Sequence, residues 1–222
     1  MFDPIFFDLD GTLTASHPGV TKCAAYALAA YGIEAKPEDL MMFIGPPLLQ
    51  SFRKYFGFDE ATALAAVEKY RERYIPIGAY EAEVYPGIAA LLGELRAAGR
   101  TVAVATSKPY PQTIDVLRHF GLLDYFGEEN IFAASMDDRK NSKSAIIAEG
   151  LAAMKARGLS LENAVMVGDR CFDIEGGHKN GLPVVGVGYG YAPEGEFAEY
   201  GADYVAPTVA ELRALLLGET ND

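Results

Sequence analysis

Five short, nearly unbroken apolar runs are spread along the chain, at residues 4–7, 101–105, 131–133, 164–167 and 183–187, with helical spacing of apolar residues between them. A strand without polar alternation has no face to turn to water. It must be covered on both sides, which calls for a parallel sheet wrapped by helices. Ligands of such sheets bind beyond the carboxyl ends of the strands. Three of these runs deliver a chemistry-bearing residue at that end: Asp8, Thr106 and Asp169. The convergence of three separate strand ends says more than any one motif.

The helical patterns sort into two groups. Residues 19–31, 46–55 and 60–75 carry them without a strand signal in between. Val20, Cys23, Ala24, Ala27, Leu28 and Tyr31 share one face of the first, and Leu64, Val67, Tyr70 and Tyr74 one stripe of the third. The stretch reads as an all-helical insert. After Tyr85-Pro86-Gly87, helices at 88–98, 110–120, 172–180 and 208–217 alternate with the strands, together with one that Ser142 can cap and that runs to 154. The fold class is therefore α/β, a doubly wound parallel sheet (1–14 and 85–222) with a helical domain inserted at 15–84.

The strand ends carry a coherent chemistry. Asp8 can attack phosphorus in line and form an aspartyl-phosphate, and Asp10 can protonate the leaving alkoxide and later deprotonate water. Gly11 and Thr12 suit a tight turn whose backbone N–H groups face the phosphoryl oxygens. Thr106 can donate its hydroxyl to the same group, with Ser107 as neighbour, although either can also cap the helix that follows. Lys143 opens a helix, where the dipole disfavours a cation unless it faces carboxylates or phosphate; Lys140 competes for the role. Asp169 and Asp173 also stand where acids cap helices. Carboxylates this close repel one another unless a cation lies among them. Mg2+ fits, with Asp8, Asp10 and Asp169 as ligands and Asp173 acting through water or orienting its neighbours.

A formal charge of −12 and the lack of a basic stripe argue against nucleic acid and anionic membranes as partners. Apolar runs are too short to span a bilayer. Met1-Phe2-Asp3 lacks the basic start of a signal peptide, and the two cysteines, Cys23 and Cys171, form no disulfide framework. The expectation is a cytoplasmic protein, monomeric or weakly dimeric, acting on a small-molecule phosphate ester.

Asp8-Leu9-Asp10-Gly11-Thr12-Leu13, Thr106, Lys143 and Gly168-Asp169-Arg170-Cys171-Phe172-Asp173 resemble the four motifs of the haloacid dehalogenase-like hydrolases. The chain is most similar to their phosphoglycolate phosphatase-like branch, in which Gly45-Pro46-Pro47-Leu48 and Tyr85-Pro86-Gly87 also have counterparts. The resemblance implies a Rossmann-like core and a helical cap that closes over the site on hinges near 13–16 and 83–87. It implies a Mg2+-dependent phosphatase of small phosphomonoesters, phosphoglycolate phosphatase-like, with a 5′-nucleotidase as the alternative. Lys143 is followed by Ser144-Ala145 where many relatives have Lys-Pro-x-Pro, a departure found in a nucleotidase-like subgroup. Sugar phosphomutases and non-catalytic phospho-receivers stand behind. The former want cap cations missing from the front of the 45–50 loop; the latter place the nucleophile on a middle strand.

Gly186-Val187-Gly188-Tyr189-Gly190 invites a dinucleotide reading but lacks the third glycine and a following helix, and is taken as a flexible loop near the site.

Overall fold

The first strand, β1 (Ile5–Phe7), is fully buried and lies inside a six-stranded parallel sheet. The computed structural model describes residues 1–136 and 142–218; Lys140 lies outside them. After β1 come β2 (Thr14–Ala15), α1 (His17–Ala29), α2 (Leu48–Phe56), α3 (Glu60–Tyr74) and β3 (Glu83–Val84). Then follow α4 (Ile88–Ala97), β4 (Val102–Pro109), α5 (Tyr110–His119), α6 (Leu123–Phe126), β5 (Ile131–Ala134) and α7 (Lys143–Ala156). The chain continues through β6 (Val165–Gly168), α8 (Cys171–Lys179), β7 (Val184–Val187), α9 (Glu196–Tyr200), β8 (Tyr204–Ala206) and α10 (Val209–Leu217). It divides into two units, Met1–Thr14 with Val84–Asp222, and Ala15–Glu83.

In the first unit the strand order is β5-β4-β1-β6-β7-β8, with every neighbouring pair parallel. Winding runs outward from β1 to β5, then returns to β6 on the other side of β1. That reversal is the switch point at which such sheets open a crevice. Phe7 is level with Val104 and with Val167, so Asp8 and Asp169, just past β1 and β6, and Thr106, in β4 between β1 and β5, stand within two residues of one another in register. Phe6 packs with Phe132, Ile146, Ile147, Met154, Met166 and Ile174 beneath the sheet's α7–α8 face. Gly150 admits that packing: a Cβ there would stand 2.6 Å from the Phe6 ring.

The parallel sheet expected from the apolar runs is present, with two differences. β4 extends past 105 to Pro109, and its register against β5 shifts between Thr106 and Pro109. β8 has no counterpart in the sequence reading: it is three residues long, and Tyr204 and Val205 are exposed at the sheet edge, so no apolar run announces it.

The second unit is helical. α3 buries Ala63, Ala66, Val67, Tyr70 and Tyr74, while Leu64 is exposed, so the small alanines and not Leu64 complete the stripe. Phe43, Phe52, Phe56 and Phe58 form an aromatic cluster, with Phe52 and Phe58 stacked. Glu81 accepts from Arg73 at 2.7 Å and lies 3.1 Å from Lys22. Among the described residues no helix is long and apolar enough to cross a membrane.

Candidate active site

Three carboxylates meet beyond the ends of β1 and β6. One oxygen each of Asp8, Asp169 and Asp173 lies within 4.8 Å of the others, and all three residues are buried. β1 places Asp8, whose N–H donates to the Val167 carbonyl at 2.9 Å. Asp173 sits in the first turn of α8 and accepts from the Arg170 N–H at 3.1 Å. Gly168 makes that possible, since a Cβ there would lie 2.2 Å from Asp173 Cγ.

Lys143 is the cation of this cluster. Ser142 caps α7 by accepting from the Ala145 N–H at 3.3 Å, which leaves Lys143 as the first helical residue. Its ammonium donates to the Ala105 carbonyl at 3.0 Å and lies 2.7 Å from Asp8 Oδ1 and 2.8 Å from Asp173 Oδ1. Three partners match the three donors of a lysine. Burial works against the Lys143 charge, but Asp173 and Asp8 outweigh it and hold the group above the usual lysine range. Burial pushes Asp8 up to about 6; the Lys143 ammonium opposes the rise, and Asp173 and Asp10 add to it. Asp169 is raised well above the carboxylate range by burial, then by Asp173 and Asp8, against the Tyr191 N–H and Arg170.

Asp10 does not join the three. Its Oδ2 lies 2.8 Å from Lys108 Nζ, and Lys108 is nearly buried. Lys108 thus engages one oxygen of Asp10, the residue expected from sequence as a third ligand, while Asp10 Oδ1 is buried without a hydrogen-bond partner. Lys108 itself was missed. The signal was available, because Lys108 lies at the carboxyl end of the same strand as Thr106 and the same end-of-strand logic applies to it.

Thr106 is buried, and its Oγ1 accepts from the Lys108 N–H at 3.2 Å. Neither Thr106 nor half-buried Ser107 caps α5, whose N-cap position is Pro109. The turn after β1 corrects another expectation. The Gly11 N–H donates to the Thr14 carbonyl at 2.8 Å and the Thr12 N–H to the Leu9 carbonyl at 3.4 Å, so both amides close the turn instead of facing outward. Gly11 has φ +90°, and a Cβ there would lie 2.1 Å from Asp169 Oδ2. Glycine is required by both the backbone and the space.

The loop after β7, taken from sequence as flexible, is tied to these residues. The Tyr191 N–H donates to Asp169 Oδ2 at 2.8 Å, and the Tyr189 hydroxyl donates to the Thr12 carbonyl at 3.1 Å.

Four carboxylates, Asp8, Asp10, Asp169 and Asp173, face two ammonium groups, Lys108 and Lys143. Asp169 Oδ1 is buried without a hydrogen-bond partner. Among the described residues the carboxylates outnumber the ammonium groups, and that excess, hard oxygen donors and an orphaned carboxylate oxygen fit a divalent cation such as Mg2+.

This arrangement of an acidic cluster with a lysine at a parallel-sheet switch point has known relatives. Residues 5–187 match the family model described as haloacid dehalogenase-like hydrolase. The chain belongs to that family. A 5′-nucleotidase of Pseudomonas aeruginosa is 41% identical over 96% of this chain and 94% of its own length. Tyrosine-protein kinase PtkA of Mycobacterium tuberculosis is 38% identical over 96% of this chain and 72% of its own. A phosphoglycolate phosphatase of Rhodospirillum rubrum is 31% identical over 86% and 81%. Among solved structures, that of a predicted phosphatase from Clostridium acetobutylicum superposes with a TM-score of 0.91 at 39% identity, covering 98% of this chain and 99% of its own.

Proposed function

We propose that this chain is a Mg2+-dependent phosphatase of small phosphomonoesters, working through an aspartyl-phosphate on Asp8. The observation that carries the reading is the buried Asp8 carboxylate, with Oδ1 held by Lys143 and the Asp169–Asp173 pair beside it. Asp8 and Asp169, with Asp173 from the same cluster, would hold the ion, which when bound neutralises the phosphoryl oxygens and the crowded carboxylates.

Lys143 fixes one Asp8 oxygen and leaves the other to attack phosphorus. The phosphorus–ester oxygen bond breaks as the Asp8–phosphorus bond forms, and Asp10 gives its proton to the leaving alkoxide. Asp10 then takes a proton from water as that water attacks the aspartyl-phosphate, releasing phosphate and restoring Asp8. Lys108 holds the Asp10 side chain in place, as the acid in the first transfer and as the carboxylate in the second, and Thr106 offers a hydroxyl to the phosphoryl group. The amides of Gly11 and Thr12 have no part in it, being engaged in the turn.

For the ester, the 41% identity to a named 5′-nucleotidase supports nucleoside 5′-monophosphates ahead of 2-phosphoglycolate, whose named phosphatase is 31% identical. The Ser144-Ala145 that follows Lys143 supports the same choice. The test is phosphate release across nucleoside monophosphates, 2-phosphoglycolate, sugar phosphates and pyrophosphate, with Mg2+ and with chelator. We expect Mg2+-dependent release, highest with a nucleoside 5′-monophosphate, and at least about 10³-fold loss in folded Asp8→Asn. Release that survives chelation, or survives Asp8→Asn, would overturn the mechanism. Strong preference for 2-phosphoglycolate would overturn the choice of ester alone.

A further inference from the structure

Asp169 is fully buried, and what orients it comes from a segment that the mechanism leaves unused. Its Oδ2 is taken by the Tyr191 N–H at 2.8 Å, which leaves Oδ1 as the bare, buried oxygen. The residue before Tyr191 is Gly190, where a Cβ would lie 2.3 Å from Asp169 Cβ and 2.5 Å from the Gly11 carbonyl oxygen. The loop backbone is thus pressed against both the carboxylate and the turn after β1.

Side chains anchor the segment at each end. At the front, the Tyr189 hydroxyl donates to the Thr12 carbonyl at 3.1 Å, and its ring meets Tyr85 edge-on at 4.8 Å between centroids. Burial, then Tyr85 and Asp169, hold the Tyr189 phenol above its usual range, so it remains a donor. At the back, buried Glu196 accepts from Arg170 Nε at 3.0 Å and from the Cys171 N–H at 2.8 Å. Arg170 and Cys171 directly follow Asp169. The segment therefore grips the chain on both sides of the cluster, at Thr12 and at 170–171.

We propose that residues 189–196 are a brace for the metal site, in which Tyr189 and Glu196 are positioning residues that hold the Tyr191 amide on Asp169 Oδ2 and so aim Oδ1 at the cation. Loss of a group that orients a ligand in this way typically costs about 10- to 100-fold in metal affinity. The loop's glycines follow from this. Gly190 lets the backbone reach a carboxylate that a bulkier residue would be kept from, and Gly188 lets it pass the Pro207 backbone, so no dinucleotide is needed to explain them.

This inference rests on the metal reading above, and its test separates the two. Binding of Mn2+ to the full chain is titrated by the loss of the free-ion electron paramagnetic resonance signal, for wild type, Tyr189→Phe and Glu196→Gln, with Tyr55→Phe as a remote control. The Phe variant keeps the ring against Tyr85 and loses only the hydroxyl. We expect each brace variant to bind Mn2+ about 10-fold or more weakly, the control to match wild type, and phosphate turnover in Tyr189→Phe to recover when Mg2+ is raised to saturation. Unchanged Mn2+ affinity in folded Tyr189→Phe overturns the inference, as does a lowered turnover that saturating Mg2+ does not restore. Glu196→Gln attacks the brace from its other end and decides the matter if Tyr189→Phe fails to fold. A wild-type chain with no Mn2+ affinity overturns the metal reading, and this inference with it.

Discussion

Asp169 has one oxygen bound by a backbone amide and one bare, in a place where two further carboxylates raise the cost of its charge. In the metal-free protein that charge is a liability, because a buried ion without a partner costs several kcal/mol. Asn keeps the shape and an oxygen for the Tyr191 N–H. Asp169→Asn should therefore leave the chelated protein as stable as wild type or more so, by about 1–2 kcal/mol, which is roughly 2–8 °C in Tm for a chain of this size. The same substitution should abolish the rise in Tm that Mg2+ gives wild type, a rise worth about 2.7 kcal/mol at a hundred times Kd. Thermal unfolding with chelator and with Mg2+ checks both halves. A lower Tm in chelator, or a surviving Mg2+ response, would contradict the account. That Asp8 and Asp169 belong together could be read from sequence because each ends an apolar run, and strand ends converge in a parallel sheet. The pairing of Asp10 with Lys108 could not, since it depends on which way two side chains point across a turn.

At the level of elements, the site is aligned by the close approach of α7 and α8. Gly176 on α8 faces Lys143 at the start of α7, and a Cβ on it would stand 2.8 Å from Lys143 Cγ and 3.0 Å from its Cβ. Both helices are set by local signals, Ser142 for the one and the Arg170–Asp173 bond for the other, so neither readily gives way. Gly176→Ala should thus displace the Lys143 stem from the contact that serves Asp8. The helix propensity gained, about 1 kcal/mol, is offset by overpacking of about 1–3 kcal/mol. We expect kcat to fall about 10-fold or more with Tm within a few degrees of wild type. Steady-state kinetics beside thermal unfolding would show it, and full activity would mean that Lys143 does not need its present position. Elements with strong periodicity or caps were legible in sequence to within a few residues, α7 and α10 among them. Those that escaped, β2, β3, α6, α9 and β8, are two to five residues long and owe their form to neighbours, as β8 does to pairing with β7.

For the molecule as a whole, the formal charge of −12 sets a long-range field that opposes the arrival of a phosphate dianion. Lys108, Lys143 and a bound cation act in the other sense but over a few ångströms, and the carboxylates they face cancel most of their distant effect. The two fields respond differently to salt. At about 0.01 M ionic strength the Debye length is about 30 Å and the whole acidic surface is felt; at 0.15 M it is about 8 Å and the distant charges are muted. The ion pairs around Lys143 are buried and are screened far less. Raising ionic strength over that range with an inert salt, at fixed free Mg2+, should therefore raise kcat/KM about 2- to 5-fold through a lower KM while kcat stays level. Initial rates with one nucleoside 5′-monophosphate at a series of salt concentrations decide it. A kcat/KM that falls with salt would show instead that the cations of the site govern the approach of substrate, and that the net charge of the chain is the wrong quantity from which to predict its encounters.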